Sequence, residues 1–492
     1  MTIYHFNLLV GFEPNGVDKA QGYRAKLLDS LGIKSKFIFT RLPDRYLINY
    51  YRGLGIREES MLIVHLALTT IKTSCPSLTL NDVLNSLGFE SVEEPKTDIY
   101  VQPITGDSSL VCYLEAGYVH QVDYISSGML LKRDVYSYTK MYTEHYKVVA
   151  TEGGLEARVI KRSFWNEDGS LAFEEYLQQG RSSYKFGYEL LHTHQELVEK
   201  CIESLTFTSD DLILMDRTSN FEFAQVLLTQ LPHIRKGVVL HSEHEFDQHM
   251  INYEYYYSFK YAKEFDFFIT ATDQQKQRLE KTFQREFGFT PQVLSIPVGY
   301  IEELNYPKEA RKPYSIIVAS RLIHSKRIDL AIKAVAKVLQ KLPEITLDIY
   351  GDGMLFQELS SLIRELGLEA YVHLKGWQDV SQQYQHYELY LATSFSETFG
   401  LSLMEAVGSG VGMIGFDFRY GNPTFIKNGE NGKLLSYVED ERELVERLSE
   451  NLYDLLQENM ETIHEASYRL AEGFTKEKVG QAWLSLLNQE EK

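Results

Sequence analysis

Glu397-Thr-Phe-Gly-Leu-Ser-Leu-Met-Glu405 sets two carboxylates around a glycine, directly after the apolar run Leu389-Tyr-Leu-Ala-Thr-Ser394. A strand leading through a turn into a helix would bring backbone N–H groups beside Glu397, with Glu405 further along the same element. Helix N-termini hold phosphate without needing a metal, and carboxylates accept hydrogen bonds from sugar hydroxyls. A nucleotide-sugar, with a diphosphate between two sets of hydroxyls, fits such a site. A glycosidase acid and nucleophile is the competing reading. On one helix the two carboxylates would stand about 12 Å apart, beyond the roughly 5 to 9.5 Å used in glycoside hydrolysis. The spacing therefore favours gripping two ends of an extended donor over attack at one bond. A solvated helix face is the alternative without function.

Other residues of the right chemistry fall where apolar runs end. Arg321 and Lys326 follow Ser315-Ile-Ile-Val-Ala-Ser320, where two cations can neutralise a diphosphate and stabilise it as it leaves. Arg suits bidentate phosphate contact and Lys a point charge; a solvated basic loop is the plain alternative. Gly351-Asp-Gly353 after Thr346–Tyr350 is a turn through which backbone can approach a ligand, or merely a helix start. Gly376-Trp377 also follows a strand, with Trp377 serving either as core or as a wall for a stacked base. His241-Ser-Glu-His244 closes a further strand. There His241 can donate to a sugar hydroxyl or help polarise the leaving group. The two histidines with Glu243 also suggest a metal, but no third ligand stands out. Gly16, in the first loop, would leave room for donor phosphate and acceptor to meet.

These residues need two parallel-sheet elements to hold them, and the chain is long enough. Its 492 residues allow about three domains. Residues 1–12 read as a strand, Gly11 and Gly16 bracket a turn, and a helix follows near 17–31, then a strand at Lys36–Thr40: a βαβ opening. From about 95 to 190 the pattern becomes short alternating runs, with a hairpin signal at Asn166-Glu-Asp-Gly169. Strand–helix alternation resumes near 205 with Asp211–Asp216, Gly237–His241 and Phe267–Thr270. A boundary follows Ile296-Pro-Val-Gly299, and Arg311-Lys-Pro313 looks like the linker. A second series then runs through Ser315–Ser320, Thr346–Tyr350, Val372–Leu374, Leu389–Ser394 and Gly412–Phe416. Apolar residues at 328, 332, 335, 338, 339 and 342 mark a helix between the first two. Every motif above lies at a strand's carboxyl end, where doubly wound sheets bind ligands.

Composition narrows the class. Apolar residues make up 44% and aromatic residues 13%, as in a folded chain with cores. The net charge of −19 argues against nucleic acid and against binding an acidic membrane surface. Cys75, Cys112 and Cys201 form neither a metal spacing nor a disulfide framework, which suits a reducing cytoplasm. No basic stretch precedes the first apolar run, so no signal peptide is expected. No apolar run reaches the 18 residues of a spanning helix.

As a set, Arg321, Lys326, Glu397 and Glu405, with Gly351-Asp-Gly353 and Asn428-Gly-Glu-Asn-Gly432, resemble the family 4 retaining GT-B glycosyltransferases over residues 205–470. A closer likeness spans nearly the whole chain. Gly16-Val-Asp-Lys-Ala-Gln-Gly-Tyr-Arg24, Asn166–Gly169, His241–His244, Thr272-Asp-Gln274 and Phe416-Asp-Phe-Arg-Tyr-Gly-Asn422 are similar to GtfA-type catalytic subunits of bacterial O-GlcNAc transferases. The resemblance implies an α/β GT-B fold, two Rossmann-like domains facing a cleft, with an inserted antiparallel β-meander. On that basis residues 1–42 and 205–305, with a C-terminal helix at about 472–492, form the acceptor-side domain. Residues 43–204 form the insert and 306–471 the nucleotide-sugar domain. Catalysis would fall to Arg321, Lys326, Glu397 and His241, with Glu397 contacting the transferred sugar. Glu405 would hold the donor ribose, and the amides of Phe399, Gly400 and Leu401 the phosphate. Gly16, His244, Gly351, Gly353, Gly376 and Trp377 complete the expected donor site.

The implied reaction moves N-acetylglucosamine from UDP-GlcNAc to Ser/Thr hydroxyls of a serine-rich surface adhesin before export. It would proceed with retention and without metal or cofactor. Expected partners are the serine-rich acceptor and a related non-catalytic GtfB-type subunit, or a second copy of the chain. Expected location is the cytoplasm, with at most peripheral contact at the inner face of the membrane. Three rivals share the fold: the non-catalytic partner itself, a teichoic-acid glycosyltransferase, and a stand-alone enzyme of Ser-Asp repeats. The first is disfavoured by the presence of both cations and both glutamates, the second mildly by the acidic charge. The choice of GlcNAc and of uridine rests on the resemblance.

Overall fold

The computed structural model describes residues 1–7, 16–42, 48–93, 95–151, 154–216 and 221–488. Gly11, placed above in the first turn, lies outside the described residues. Two compact units emerge from the contacts: Met1–Asp18, Leu28–Val239 and Tyr253–Asp266 form one; Lys19–Leu27, Leu240–Asn252 and Phe267–Lys492 form the other. Among the described residues no helix is long and apolar enough to cross a membrane.

Two sheets contain strands whose every residue is buried, such as Leu212–Met215 in one, and Ser315–Ala319, Leu389–Ala392 and Gly412–Phe416 in the other. Such unbroken apolar runs belong to parallel sheets covered on both faces. One sheet has seven strands, in the spatial order Val293–Ser295, Phe267–Thr270, Arg235–Val239, Leu212–Met215, Thr2–Asn7, Lys34–Phe39, Met61–Ile63. Met61–Ile63 lies within the stretch expected to be insertion, yet it pairs parallel with Lys34–Phe39. The other sheet has six strands: Val372–Gly376, Thr346–Tyr350, Ser315–Ala319, Leu389–Ala392, Gly412–Phe416, Gly432–Leu435. In chain order this second sheet reads 3-2-1-4-5-6, the doubly wound arrangement that opens a crevice between its first and fourth strands.

The helix Ile328–Val338 covers that sheet through Leu330, Ala331, Ile332, Ala334, Val335 and Val338, all buried. Arg311, read from sequence as part of a linker, is a pin. Its guanidinium donates to the carbonyls of Tyr387 and Ser409 at 2.7 and 2.6 Å, and to that of Gln385 at 3.0 Å.

The third sheet is the antiparallel insert. Nine strands from Ile99–Pro103 to Glu189–Leu191 each pair with the next in the chain. The hairpin at Asn166–Gly169 forms as its Asp-Gly signal requires, with Gly169 at φ +81° and its N–H donating to Asn166 O at 2.9 Å. One face carries a cross-strand ladder of alternating charge. Arg133 is bidentate on Asp123 at 2.7 and 2.9 Å, and Arg162 bridges Glu144 and Glu175 at 2.8 and 3.0 Å. All three carboxylates are buried, so the ladder satisfies charges that burial alone would make costly.

Candidate functional site

The neighbouring strands Ser315–Ala319 and Leu389–Ala392 pair parallel through Ile316–Leu389 and Ile317–Tyr390. The loops leaving their carboxyl ends therefore start side by side at the crevice. Two hydrogen bonds lace these loops together: Thr393 Oγ1 donates to Lys326 O at 2.9 Å, and Phe395 N to Ser325 O at 3.0 Å. The lacing brings Lys326 Nζ to 2.5 Å from Glu397 Oε2. Ser320, Lys326, Thr393, Ser394, Glu397 and Ser402 line the pocket above. Arg321 is exposed on the same loop.

Glu397 and Glu405 do not share a helix, because the helix spans Leu401–Gly408. Glu397 stays in the loop, so the sequence-based separation along one helix does not apply. Gly400 makes the junction at φ +88°, where a Cβ would lie 2.7 Å from Leu403 Cδ1 and 3.0 Å from Glu397 Cγ. No side chain caps the helix, which leaves its first-turn amides to other acceptors. The Phe399 side chain is core, stacked edge-on to Phe425 at 5.1 Å, and Leu401 packs on the same cluster. Only their backbones can serve an anion.

Glu405, one turn into the helix, accepts a hydrogen bond from Tyr384 Oη at 3.1 Å. Tyr384 is fully buried. Burial pushes the Glu405 carboxyl above the ordinary glutamate range, opposed by Lys19 and by the Tyr384 hydroxyl.

Two of the glycines expected at the donor site, Gly351 and Gly353, lie tight against backbone. A Cβ on Gly351 would lie 1.9 Å from Ser320 O, and one on Gly353 2.6 Å from Leu322 O. Leu322 N donates to Asp352 O at 2.8 Å, so the turn buttresses the loop that carries Arg321. Gly376 has open space where a Cβ would stand. Trp377 is 79% exposed, which removes the core alternative.

His241 is half-buried just beyond Arg235–Val239. His244 differs from expectation: it has no exposed surface, and its ring lies parallel to Tyr420 at 6.2 Å. Burial lowers its pKa to about 3 against the pull of Glu245, so it is a neutral core histidine with no face for a donor. Gly16 begins the helix Gly16–Ser30, and nothing lies within 4 Å of the place a Cβ would take there. Among the described residues no group of three His, Cys, Asp or Glu side chains could hold a metal ion.

Residues 302–469 match the group 1 glycosyl transferases, and residues 92–188 match the GtfA extended beta-sheet domain. The GtfA subunit of the Streptococcus parasanguinis UDP-N-acetylglucosamine–peptide N-acetylglucosaminyltransferase is 35% identical, with 99% of each chain covered. The crystal structure of the pneumococcal O-GlcNAc transferase GtfA in complex with UDP and GlcNAc superposes with a TM-score of 0.91. It is 34% identical, with 99% of this chain and 98% of that one covered. A GtfA/B complex structure gives 0.89 at 36% identity, with 99% of each covered.

The chain belongs to the GtfA family. Its architecture is accordingly GT-B, with the nine-stranded sheet as the family's extended domain.

Several residues that shape this GtfA-type site carry no signal a reader of sequence would pick out. Tyr384 opens a short 3-10 turn and is one of three tyrosines in Tyr384-Gln-His-Tyr387-Glu-Leu-Tyr390, with nothing to single it out. Asn422 is fully buried and its amide donates to Phe416 O at 2.8 Å and Ala392 O at 3.3 Å, pinning two strand ends. It stands in the Phe416–Asn422 motif that carries the family likeness, but the motif alone assigns it no task. Asn431 joins helix to sheet: its Nδ2 donates to Phe425 O at 2.9 Å at the end of the helix Gly421–Phe425, and its carbonyl accepts from Met413 N at 2.9 Å. A Cβ on Gly432 would lie 1.6 Å from Met413 O. Thr272 of Thr272-Asp-Gln274 caps the helix Asp273–Phe287 through Gln275 N.

Proposed function

We infer that this chain is the N-acetylglucosaminyltransferase that its family and site together describe, moving GlcNAc from UDP-GlcNAc to a polypeptide. The observation that carries the reading is the Lys326–Glu397 contact at the crevice of the second sheet, with Glu405 on the helix that follows. A cation and a carboxylate in contact at a strand end, with a second carboxylate on the helix that follows, suit a sugar diphosphate better than a neutral ligand.

The acceptors are Ser/Thr hydroxyls of a serine-rich surface adhesin, and the anomeric configuration is retained. Glu405 accepts from the donor ribose, Glu397 contacts the sugar, and the Phe399–Leu401 amides face the phosphate. The acceptor oxygen bonds to the anomeric carbon as the bond to the β-phosphate oxygen breaks. That oxygen takes the hydroxyl proton, and Arg321 and Lys326 stabilise the departing diphosphate. The residues need no metal for this. His241 donates to a sugar hydroxyl. A related non-catalytic subunit holds the acceptor; the relative solved as a GtfA/B complex supports that pairing. The reaction takes place in the cytoplasm, before the acceptor is exported.

The test is incubation with labelled UDP-GlcNAc and either a Ser-rich peptide or a teichoic acid, with the related subunit present and absent. Label on the peptide is expected. Label on the teichoic acid alone, or neither transfer nor donor hydrolysis, would overturn the assignment.

A further inference from the structure

Glu397 is held through its main chain as well as its side chain. Its carbonyl accepts from Tyr420 N at 2.7 Å and Gly421 N at 2.6 Å, and its N–H donates to Arg419 O at 3.4 Å. Gly421 is necessary there, since a Cβ would lie 2.3 Å from Phe399 O and 2.9 Å from Glu397 O. The turn Arg419–Gly421 is thus the seat on which Glu397 rests.

A second loop grips that seat. Ser396 Oγ donates to Glu243 Oε1 at 3.2 Å, while Arg419 Nη2 lies 3.7 Å from Glu243 Oε2 and 3.1 Å from Asp247 Oδ1. The Asp247 side chain is 97% exposed, that of Glu243 only 13%, and exposed ion pairs fix little. Glu243 is therefore the effective anchor, touching both the residue before Glu397 and the turn beneath it. Its own loop is braced from behind. Buried Glu245 accepts from Thr282 Oγ1 at 2.6 Å and Arg285 Nη2 at 2.7 Å on the helix Asp273–Phe287. Asn252 Nδ2 donates to Glu243 O at 2.7 Å.

We propose that Glu243 and Arg419 are positioning residues that fix Glu397 against the donor sugar and tie it to the loop carrying His241. Neither reaches the reacting atoms; both act through the seat of Glu397. The proposal rests on Glu397 contacting the donor. A brace that only stabilised the fold would shift melting and leave turnover per folded molecule intact. A brace that aims Glu397 lowers kcat with little change in donor KM, since small misplacements at a reacting centre cost up to about a hundredfold.

The experiment is steady-state transfer and donor hydrolysis by E243Q, R419K, R419Q and E243Q/R419Q, each corrected for folded fraction by saturable UDP binding, beside E397Q. Expected are kcat values down about tenfold or more in E243Q and R419Q, donor KM within about twofold, and partial rescue in R419K. The double variant should be no worse than R419Q, because both changes break one clasp. Wild-type kcat in E243Q and R419Q with E397Q inactive would overturn the positioning role alone, as would losses that multiply in the double variant. Full activity in E397Q would overturn the reading of Glu397, and this proposal with it.

Discussion

Arg321 and Lys326 bring the same charge to one loop but differ in company: Lys326 is bonded to Glu397, whereas Arg321 is exposed. R321A should lower turnover by about a hundredfold or more with stability unchanged to within about 0.5 kcal/mol. K326A should do the same to turnover and also free the Glu397 carboxylate. Transfer assays with melting curves check both, and normal transfer would remove the cations from the mechanism. Tyr384 offers a finer test through pH. As pH falls through the raised Glu405 pKa, the carboxylate is protonated and holds hydroxyls less well, so donor KM rises on the acid side. The Tyr384 hydroxyl favours the ionised form. Y384F should therefore move that acid limb to higher pH and raise donor KM about tenfold, as read from a KM–pH profile. The same sign governs folding. A raised native pKa means the folded chain binds this proton more tightly than the unfolded one. Glu405 thus supports the fold at acid pH and costs stability above its native pKa.

Glycines separate structure from chemistry at the level of the element. Gly351 and Gly353, at φ +141° and +153°, hold a turn against the backbone of Ser320 and Leu322. G351A should destabilise by at least about 2 kcal/mol and lose activity with it, as denaturant titration would show. G16A, with open space around it, should leave stability unchanged or slightly improved; a change in transfer there would report on the reaction itself. The parallel strands were legible because burial on both faces leaves unbroken apolar runs such as Ser-Ile-Ile-Val-Ala at 315–319. Glu397, Arg321 and Lys326 draw the eye in sequence because they follow buried strands, and strand ends collect ligands; Glu405 is set further on, inside the helix Leu401–Gly408. His244 was misplaced because a histidine after a strand can turn either way, and sequence does not show that Tyr420 waits behind it. Gly351 and Gly353 announced a close approach without saying to what. Arg311 looked like a linker because nothing local names the carbonyls of Tyr387 and Ser409, which come from far along the chain.

For the molecule as a whole, donor chemistry and acceptor choice should separate. The pocket, Glu397, Glu405 and both cations lie in one unit, so the purified chain should hydrolyse UDP-GlcNAc slowly by itself. Adding the related subunit should raise peptide transfer and leave hydrolysis little changed, as UDP release and peptide labelling would measure. The two kinds of sheet also differ in when they can exist. Each strand of the nine-stranded sheet pairs with its immediate successor, so its hairpins can close with short loops. The seven-stranded sheet must join Thr2–Asn7 to Leu212–Met215. As the chain leaves the ribosome, the meander can therefore zip up while the opening strand still awaits a neighbour that has not been translated.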